Sequence, residues 1–355
     1  MAQGLREDFM NILITGGTGY IGSHIAEDLA RRGHTVTALA RGTRCGTTTS
    51  ARAAELERLG VRIVCADLAK PGDLSRSLDA APYEVIIHGV CSFLEPTHSE
   101  SLTIRAMQEV VTFAWGCKHL KQVIDLGNCL VLADAGPTAV PAEDFPCQPN
   151  TQHGRNKLLA EQLLQNSGLP WIILRIGQVY GGKGSSFDWV ILDGIRHGTL
   201  PLPGTGSNRV GLVHVADVAQ ATRLVVEQGH RNQLLNVCSD DTTVTQAQVF
   251  DFIADAFGVA HPQRIPRPFA LAYAWISEQS ARIQKKEPAL VPDMIKVLSG
   301  NWLLSIEKAK DLLGYRPAYP KTLDGLCSAY APVFEGKTEL FAPEGRLSNA
   351  RGTAQ

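Results

Sequence analysis

Residues 150–164, NTQHGRNKLLAEQLL, carry two nitrogen-bearing side chains four positions apart, His153 and Lys157. The stretch reads as the start of an amphipathic helix, on which positions i and i+4 share a face. An imidazole near neutrality can take or give a proton. The ammonium beside it disfavours a second positive charge, so a neutral His153, acting as base or fixed hydrogen-bond donor, fits better than a strong acid. A fixed donor aimed at developing negative charge can still contribute about 3 kcal/mol. The same pair on a solvated face would do no chemistry, so its meaning depends on its surroundings.

A second signal is more specific. In ILITGGTGYIGSHIAEDLARRGHTVTALAR (12–41), Gly16, Gly19 and Gly22 follow an apolar strand and open a helix. The first glycine permits a tight turn, the second lets backbone approach a pyrophosphate, and the third lets helix and strand pack closely. The first N–H groups of that helix, at Tyr20, Ile21 and Gly22, then face an anion with the positive end of the helix dipole. The following strand ends in Ala40 and Arg41 rather than an acid, with Arg44 nearby. A guanidinium there can pair with a 2′-phosphate, which favours NADP(H), with NAD(H) as the alternative. Asp67 and Leu68, after the third apolar run, are placed to meet the adenine.

These groups need a scaffold, and the chain alternates short apolar runs with helical patterns. The runs are 10–15, 35–40, 61–66, 84–89, 121–126, 170–176, 209–215 and 233–238. Helical patterns cover 20–32, 51–59, 74–80, 100–118, 154–166 and 216–228. Uninterrupted apolar strands between helices predict a Rossmann-type, doubly wound parallel α/β sheet covered on both faces. Residues 1–180 and 209–239 are assigned to this dinucleotide-binding domain. The Gly- and Pro-rich segment 181–208 and the mainly helical 240–334 form a smaller substrate lid over the carboxyl ends of the strands. Residues 335–355 lack periodicity and read as a disordered tail.

Bulk properties exclude several classes. Lys plus Arg number 34 and Asp plus Glu 35, so no polyanion such as nucleic acid is expected as partner. The eight cysteines form no CxxC pair, and no His/Cys/Asp cluster suggests a metal site. Single thiols suit a reducing cytoplasm, with Cys65, Cys91 and Cys238 expected to pack in or beside apolar runs. Neither a secretory leader nor a transmembrane span is expected.

The chain resembles the extended short-chain dehydrogenase/reductase family (the NAD-dependent epimerase/dehydratases), and within it the 3β-hydroxysteroid dehydrogenase-like branch. The landmarks fall in family order from about residue 11 to 330: TGGTGYIGSHIAEDL, ADLAKPGDL (66–74), VIIHGV (85–90), GRNKLLAEQLL (154–164), ILRIGQVYG (173–181), VHVADVAQA (213–221) and LSIEKAKDLLGYRP (304–317). The family's active site pairs Tyr-x-x-x-Lys with a Ser or Thr after the fifth strand and an Asn on the preceding helix. The resemblance makes Lys157 the ribose-binding lysine and puts His153 at the tyrosine position. The serine position falls on Gly127, beside Asn128, and the helical Asn position falls near Thr103. It also makes Tyr180, His88, His214 and Asp217 scaffold, with His214 and Asp217 bracing the sheet and capping a helix. The cofactor machinery is kept and the hydroxyl machinery replaced, so His153, helped by Asn128, is expected to polarise the substrate.

The expected function is an NAD(P)H-dependent oxidoreductase acting on a carbonyl or hydroxyl of a bulky lipophilic ring, steroid-like, prenylated quinone-like or polyketide. Segment 91–98 carries no basic cluster for a sugar diphosphate, and Arg196 or Arg209 alone cannot supply one. The aromatic-rich stretch 267–283 reads either as substrate lining, as a membrane-facing helix, or as the lid's own core. Two other functions stay open: a cofactor-retaining epimerase, isomerase or dehydratase, and a non-catalytic NADP(H)-sensing protein. A homodimer is compatible with all three.

Overall fold

The computed structural model describes residues 9–41, 51–93, 101–132, 134–182, 184–284, 288 and 290–337. Its N-terminal half runs β1 (Asn11–Thr15), α1 (Tyr20–Arg31), β2 (Thr35–Ala40), α2 (Ala51–Arg58), β3 (Arg62–Cys65), α3 (Asp73–Ser77), β4 (Val85–His88), α4 (Leu102–Ala114), β5 (Gln122–Asn128), α5 (Gln152–Gln165) and β6 (Trp171–Ile176). There follow β7 (Gln178–Tyr180), α6 (Asp193–Arg196), β8 (Leu202–Pro203), β9 (Leu212–His214), α7 (Val215–Gln228), β10 (Gln233–Val237), α8 (Gln246–Phe257) and β11 (Arg264–Ile265). The chain closes through α9 (Arg267–Gln284), α10 (Pro292–Ser299), α11 (Glu307–Leu313) and α12 (Thr322–Phe334).

Seven strands form one sheet in the order β10-β6-β5-β4-β1-β2-β3, all parallel. The order reverses between β1 and β4, and the crevice beyond that switch point is where such sheets bind ligands. The strands are apolar throughout because both faces are covered. Ile12 and Ile14 of β1 pack with Ile25 and Leu29 of α1 and Val218 and Val225 of α7. Leu13, between them, faces the other way into Met107 and Val110 of α4 and Ala160 and Leu164 of α5. The period-2 alternation of β1 thus joins two cores through one strand.

The run 209–215 departs from expectation. Its central part, β9, pairs with β7 in a separate two-stranded parallel sheet and adds nothing to the main one. A third core gathers Phe187, Ile191 and Leu202 with Phe250 and Ile253 of α8 and Leu326 and Tyr330 of α12, so segments far apart in sequence share one apolar cluster. Residues 302–315, grouped with the lid on sequence, pack elsewhere. Trp302, Leu304, Ile306, Leu313 and Tyr315 join the α1/α7 side of the main sheet. Tail residues 338–355 lie outside the described residues.

The cysteine expectations divide. Cys238 is buried as expected, whereas Cys91 is exposed. Cys65 is disulfide-bonded and so is not the reduced packing thiol expected of it. No helix among the described residues is long and apolar enough to cross a membrane.

Candidate active site and dinucleotide groove

The β1–α1 turn forms as its glycines require. Gly16 has φ +71°, the left-handed region that favours glycine. A Cβ on Gly22 would stand 2.3 Å from the Gly16 carbonyl oxygen, so the third glycine is fixed by backbone contact. Gly19 caps α1 without any side-chain hydrogen bond to the helix start. The first turn of α1, carrying Tyr20, Ile21 and Gly22, therefore has no side chain of its own chain as cap at that residue. A groove of about 160 Å³ opens there, lined by Gly16, Thr18 and Gly19 and, on its far side, by Leu39, Ala40, Arg41, Ala66, Asp67 and Leu68. The glycine cradle, the helix end and the absence of an acid after β2 fit a dinucleotide, pyrophosphate at α1 and adenosine between β2 and β3. Arg41 lies on the groove as expected, and Arg44 lies outside the described residues. Asp67 lines the groove while its Oδ1 accepts from its own Ala69 N–H at 3.1 Å.

His153 and Lys157 both lie buried, 5% and 2% exposed, yet they bond to different elements. Thr151 caps α5, its hydroxyl oxygen accepting from the Gly154 N–H at 3.0 Å. Two residues on, the His153 ring packs 5.2 Å from the Phe93 ring, and its Nδ1 lies 3.1 Å from the Ser92 carbonyl oxygen. A carbonyl only accepts, so Nδ1 carries the proton. That bond fixes the tautomer: a neutral His153 has its lone pair on Nε2, and only the imidazolium can donate from Nε2. Thr103, buried on α4, accepts from the Ser92 N–H at 3.3 Å and holds the segment that holds the histidine.

Lys157 points down onto the sheet. Its ammonium donates to the Leu126 carbonyl at 2.7 Å and to Asp125 Oδ1 at 3.4 Å, and Asp125 is fully buried. Burial works against the Lys157 charge, but the Asp125 carboxylate more than offsets it and holds the ammonium above its ordinary value. Burial also lifts Asp125 above the usual carboxylate range despite the lysine. Asp125 thus compensates the charge that the sequence places beside His153. The second Asp125 oxygen has no hydrogen-bond partner among the described residues. His88, its neighbour in register, bonds Thr15 through Nδ1 at 2.8 Å, and burial followed by Lys157 holds it near 3, hence neutral. Asp125 was missed on sequence, though its position within the apolar run VIDL signalled a buried charge needing a partner.

At the end of β5, the Asn128 side-chain oxygen accepts from the Leu130 N–H at 2.8 Å and caps a single 3₁₀ turn, Cys129–Val131. That bond commits the amide's oxygen to the turn and leaves the NH₂ as its donor end. Gly127, at the family's serine position, is tight: a Cβ would meet the Leu174 carbonyl at 3.0 Å and Glu161 Oε1 at 3.2 Å. Glu161 is itself paired with Arg175 at 2.9 Å, both buried.

A lid helix reaches the same place. Asp293 of α10 accepts from the Gln152 N–H at 2.6 Å, and Lys296 donates to the Asn150 carbonyl at 2.9 Å. A carboxylate at the start of α5 satisfies an orphan N–H and complements the dipole. No local sequence pattern announces this contact across 141 positions. On the other side of the groove the Tyr20 hydroxyl donates to the Gly181 carbonyl. Tyr330 of α12 accepts from the Gly181 N–H and donates to Asp188, whose carboxyl burial lifts to about 6.

The expected scaffold residues behave as such. Tyr180 is fully buried, and α12 approaches its hydroxyl so closely that only Gly325 fits there. His214 caps α7 by accepting from the Ala216 N–H at 3.2 Å. Asp217 instead accepts from Ala318 and Tyr319 N–H groups, tying the chain after α11 to α7. Arg209 donates to the Thr242 and Ala139 carbonyls, so it braces backbone. No group of three or more potential metal ligands occurs among the described residues.

Fold, glycine groove and α5 are those of a Rossmann-type dinucleotide-binding protein. The model of the NAD dependent epimerase/dehydratase family matches residues 12–238, and the chain belongs to that family, the extended short-chain dehydrogenase/reductases. It is 25% identical over 342 residues to the 3-diazoavenalumate denitrifying reductase of a Streptomyces species, covering 89% of this chain and 99% of the relative. It is 24% identical to the decarboxylating sterol-4-alpha-carboxylate 3-dehydrogenase of Dictyostelium discoideum, covering 86% and 95%. It is 25% identical to a 4-hydroxy-2-methyl-3-oxo-4-farnesyl-3,4-dihydroquinoline-1-oxide ketoreductase of Stigmatella aurantiaca, covering 92% and 98%. Among solved structures, the Thermus thermophilus UDP-glucose 4-epimerase in complex with NAD shares the fold, with TM-score 0.68 and 20% identity over 93% of this chain and all of that one.

Proposed function

We propose that this protein is an NADP(H)-preferring reductase or dehydrogenase of a bulky lipophilic ring ketone or alcohol, with His153 moving the proton. The observation that supports the reading is the Nδ1–H bond of His153 to the Ser92 carbonyl, which leaves the lone pair of the neutral ring on Nε2. When bound, the dinucleotide supplies or accepts a hydride at its nicotinamide ring. Gly16, Gly19, Tyr20, Ile21 and Gly22 hold the pyrophosphate, Asp67 and Leu68 border the adenine, and Arg41 pairs the 2′-phosphate. Lys157, charge-compensated by Asp125, orients the nicotinamide ribose. As imidazolium, His153 gives a proton from Nε2 to the oxygen that gains negative charge during reduction. As neutral imidazole it accepts the hydroxyl proton during oxidation. The Asn128 amide NH₂ is the second donor to that oxygen. Support for a lipophilic ring comes from the sterol and farnesylated quinoline that two relatives are named for.

The test is stopped-flow NADPH oxidation with a panel of cyclic ketones across pH. Reduction is expected to fall, and alcohol oxidation to rise, as pH increases through a single ionisation. His153→Ala is expected to lose about 10²-fold in kcat and to lose that ionisation, with NADPH affinity retained. Unchanged turnover in both His153→Ala and His153→Tyr removes the proposed role.

Cofactor preference is tested separately. Arg41→Ala is expected to weaken NADPH binding by about 10- to 30-fold, the worth of one charge-assisted contact, and to leave NADH binding unchanged in fluorescence titrations. Equal affinity for both dinucleotides in the parent protein overturns the preference.

A further inference from the structure

The leading N–H groups of α5 must be satisfied from outside the helix ladder. Thr151 takes the Gly154 N–H at 3.0 Å, and Asp293 Oδ2 of α10 takes the Gln152 N–H at 2.6 Å. His153 lies between these two capped positions. Lys296, one turn along α10, donates to Asp293 Oδ1 at 2.7 Å and to the Asn150 carbonyl at 2.9 Å. The ion pair therefore grips the backbone on both sides of Thr151, and neither group can turn away without breaking a second bond. Thr151 already caps the helix from within the chain. What Asp293 adds is a fixed position relative to the lid, through a charge-assisted bond about twice as strong as a neutral one.

The two ends of α10 are held differently. At its far end Leu298 joins the third core, and Asn208 donates to the Leu298 and Gly300 carbonyls at 3.2 and 3.0 Å. Nearer α5, Ile295 packs only in a small cluster whose other buried members are Ala270 and Ala274 of α9. The grip itself is half-buried, with Asp293 23% and Lys296 28% exposed. A contact made of few buried apolar groups and partly solvated polar bonds opens at low cost. α10 thus runs from the lid core, where it is fixed, to the catalytic turn, where it is displaceable.

We propose that Asp293 is a positioning residue, through which the seated lid sets the first turn of α5 and holds His153 in reacting register. With α10 displaced, the Gln152 N–H loses its acceptor and the turn loosens from its start. Gly154, packed against the Leu130 carbonyl, keeps the rest of α5 in place, so the loosening is confined to the residues before it. His153 is among them, and its Nδ1–H then leaves the Ser92 carbonyl. Proton transfer is in this way made conditional on a closed lid. The catalytic consequence rests on the function proposed above, whereas the coupling of α10 to the α5 turn does not.

The experiment joins NMR of the ¹⁵N-histidine-labelled full chain with ketone-reduction kinetics. The Nδ1–H signal of His153 is assigned by its loss in His153→Ala. In Asp293→Ala that proton is expected to exchange with solvent about tenfold faster, the worth of one charged hydrogen bond. kcat is expected to fall by about 10- to 100-fold, with NADPH affinity unchanged. Asp293→Asn, which keeps an acceptor oxygen, is expected to restore both to within about threefold of the parent. Lys296→Met leaves the carboxylate but removes its partner, and should move both readouts the same way by about threefold; it gives the reading if the alanine variant does not fold. The proposal is overturned if the His153 proton exchanges in Asp293→Ala, or in Lys296→Met where that variant stands in, as it does in the parent. It is also overturned if kcat and NADPH affinity fall together, for Asp293 then serves the fold at large. Parental turnover in His153→Ala sinks only the function proposed above, and the exchange measurement still decides the coupling.

Discussion

Replacing Lys157 by methionine is expected to destabilise the protein by about 3–5 kcal/mol at neutral pH, the cost of leaving one charge of a buried pair alone. Asp125 would then have neither oxygen paired, since its second oxygen already lacks a partner among the described residues. The deficit has a defined pH dependence. Burial already raises Asp125 above its unfolded value, and losing the ammonium raises it further. A carboxyl whose folded pKa lies above the unfolded one costs nothing while it is protonated in both states. Its cost appears as pH rises from the unfolded value, about 4, through the raised folded value. Urea titrations should therefore find the variant closest to the parent near pH 4 and furthest from it at pH 7. Adding Asp125→Leu should restore much of the stability, because an apolar pair of similar volume replaces the ion pair without a desolvation penalty. It should not restore activity, since the ammonium proposed to orient the ribose is gone. A Lys157→Met variant equally stable at both pH values would show that the buried pair does not hold the fold.

Gly154→Ala is expected to damage stability and catalysis together. A Cβ there would stand 2.1 Å from the Leu130 carbonyl oxygen and 2.9 Å from its carbon, both backbone atoms. Alanine is the better helix former by about 1 kcal/mol, but the overlap forces the first turn of α5 away from the Cys129–Val131 turn. Overpacking of this kind costs about 1–3 kcal/mol, so the net loss is expected to reach up to about 2 kcal/mol. The displaced turn carries His153, and a misplacement of about 1 Å can cost about 10²-fold in rate. The readouts are melting temperature, kcat against KM, and NADPH affinity. NADPH affinity should stay near the parent value, because the groove at α1 is built from other elements. If the variant is as active as the parent, the close packing of α5 on Leu130 does not position His153.

The two predictions divide the site by how it is encoded. The sequence by itself determined the β1–α1 cradle, because a left-handed turn at Gly16 and a backbone contact at Gly22 admit only glycine. It determined a parallel sheet covered on both faces as well, since its strands carry apolar side chains on two sides. It also placed His153 and Lys157 on one helix, as local spacing must. It did not determine where 209–215 would pair or that 302–315 would return to the main core, because an apolar run declares burial without naming its partner.

Only the tertiary structure decided what the pair at 153 and 157 does. Four residues along a helix put two side chains on one face, but the partners are chosen by what packs above and below. Ser92 and Phe93 take the imidazole, and Asp125 takes the ammonium. Those partners come from 61 and 32 positions away, brought together by the β4 and β5 ends meeting α5. Likewise the sequence left the aromatic stretch of α9 between substrate lining, membrane face and lid core. Packing through Ala270 and Ala274 turned its aromatics outward, because small residues bury where helices approach most closely and the large ones take the side left open.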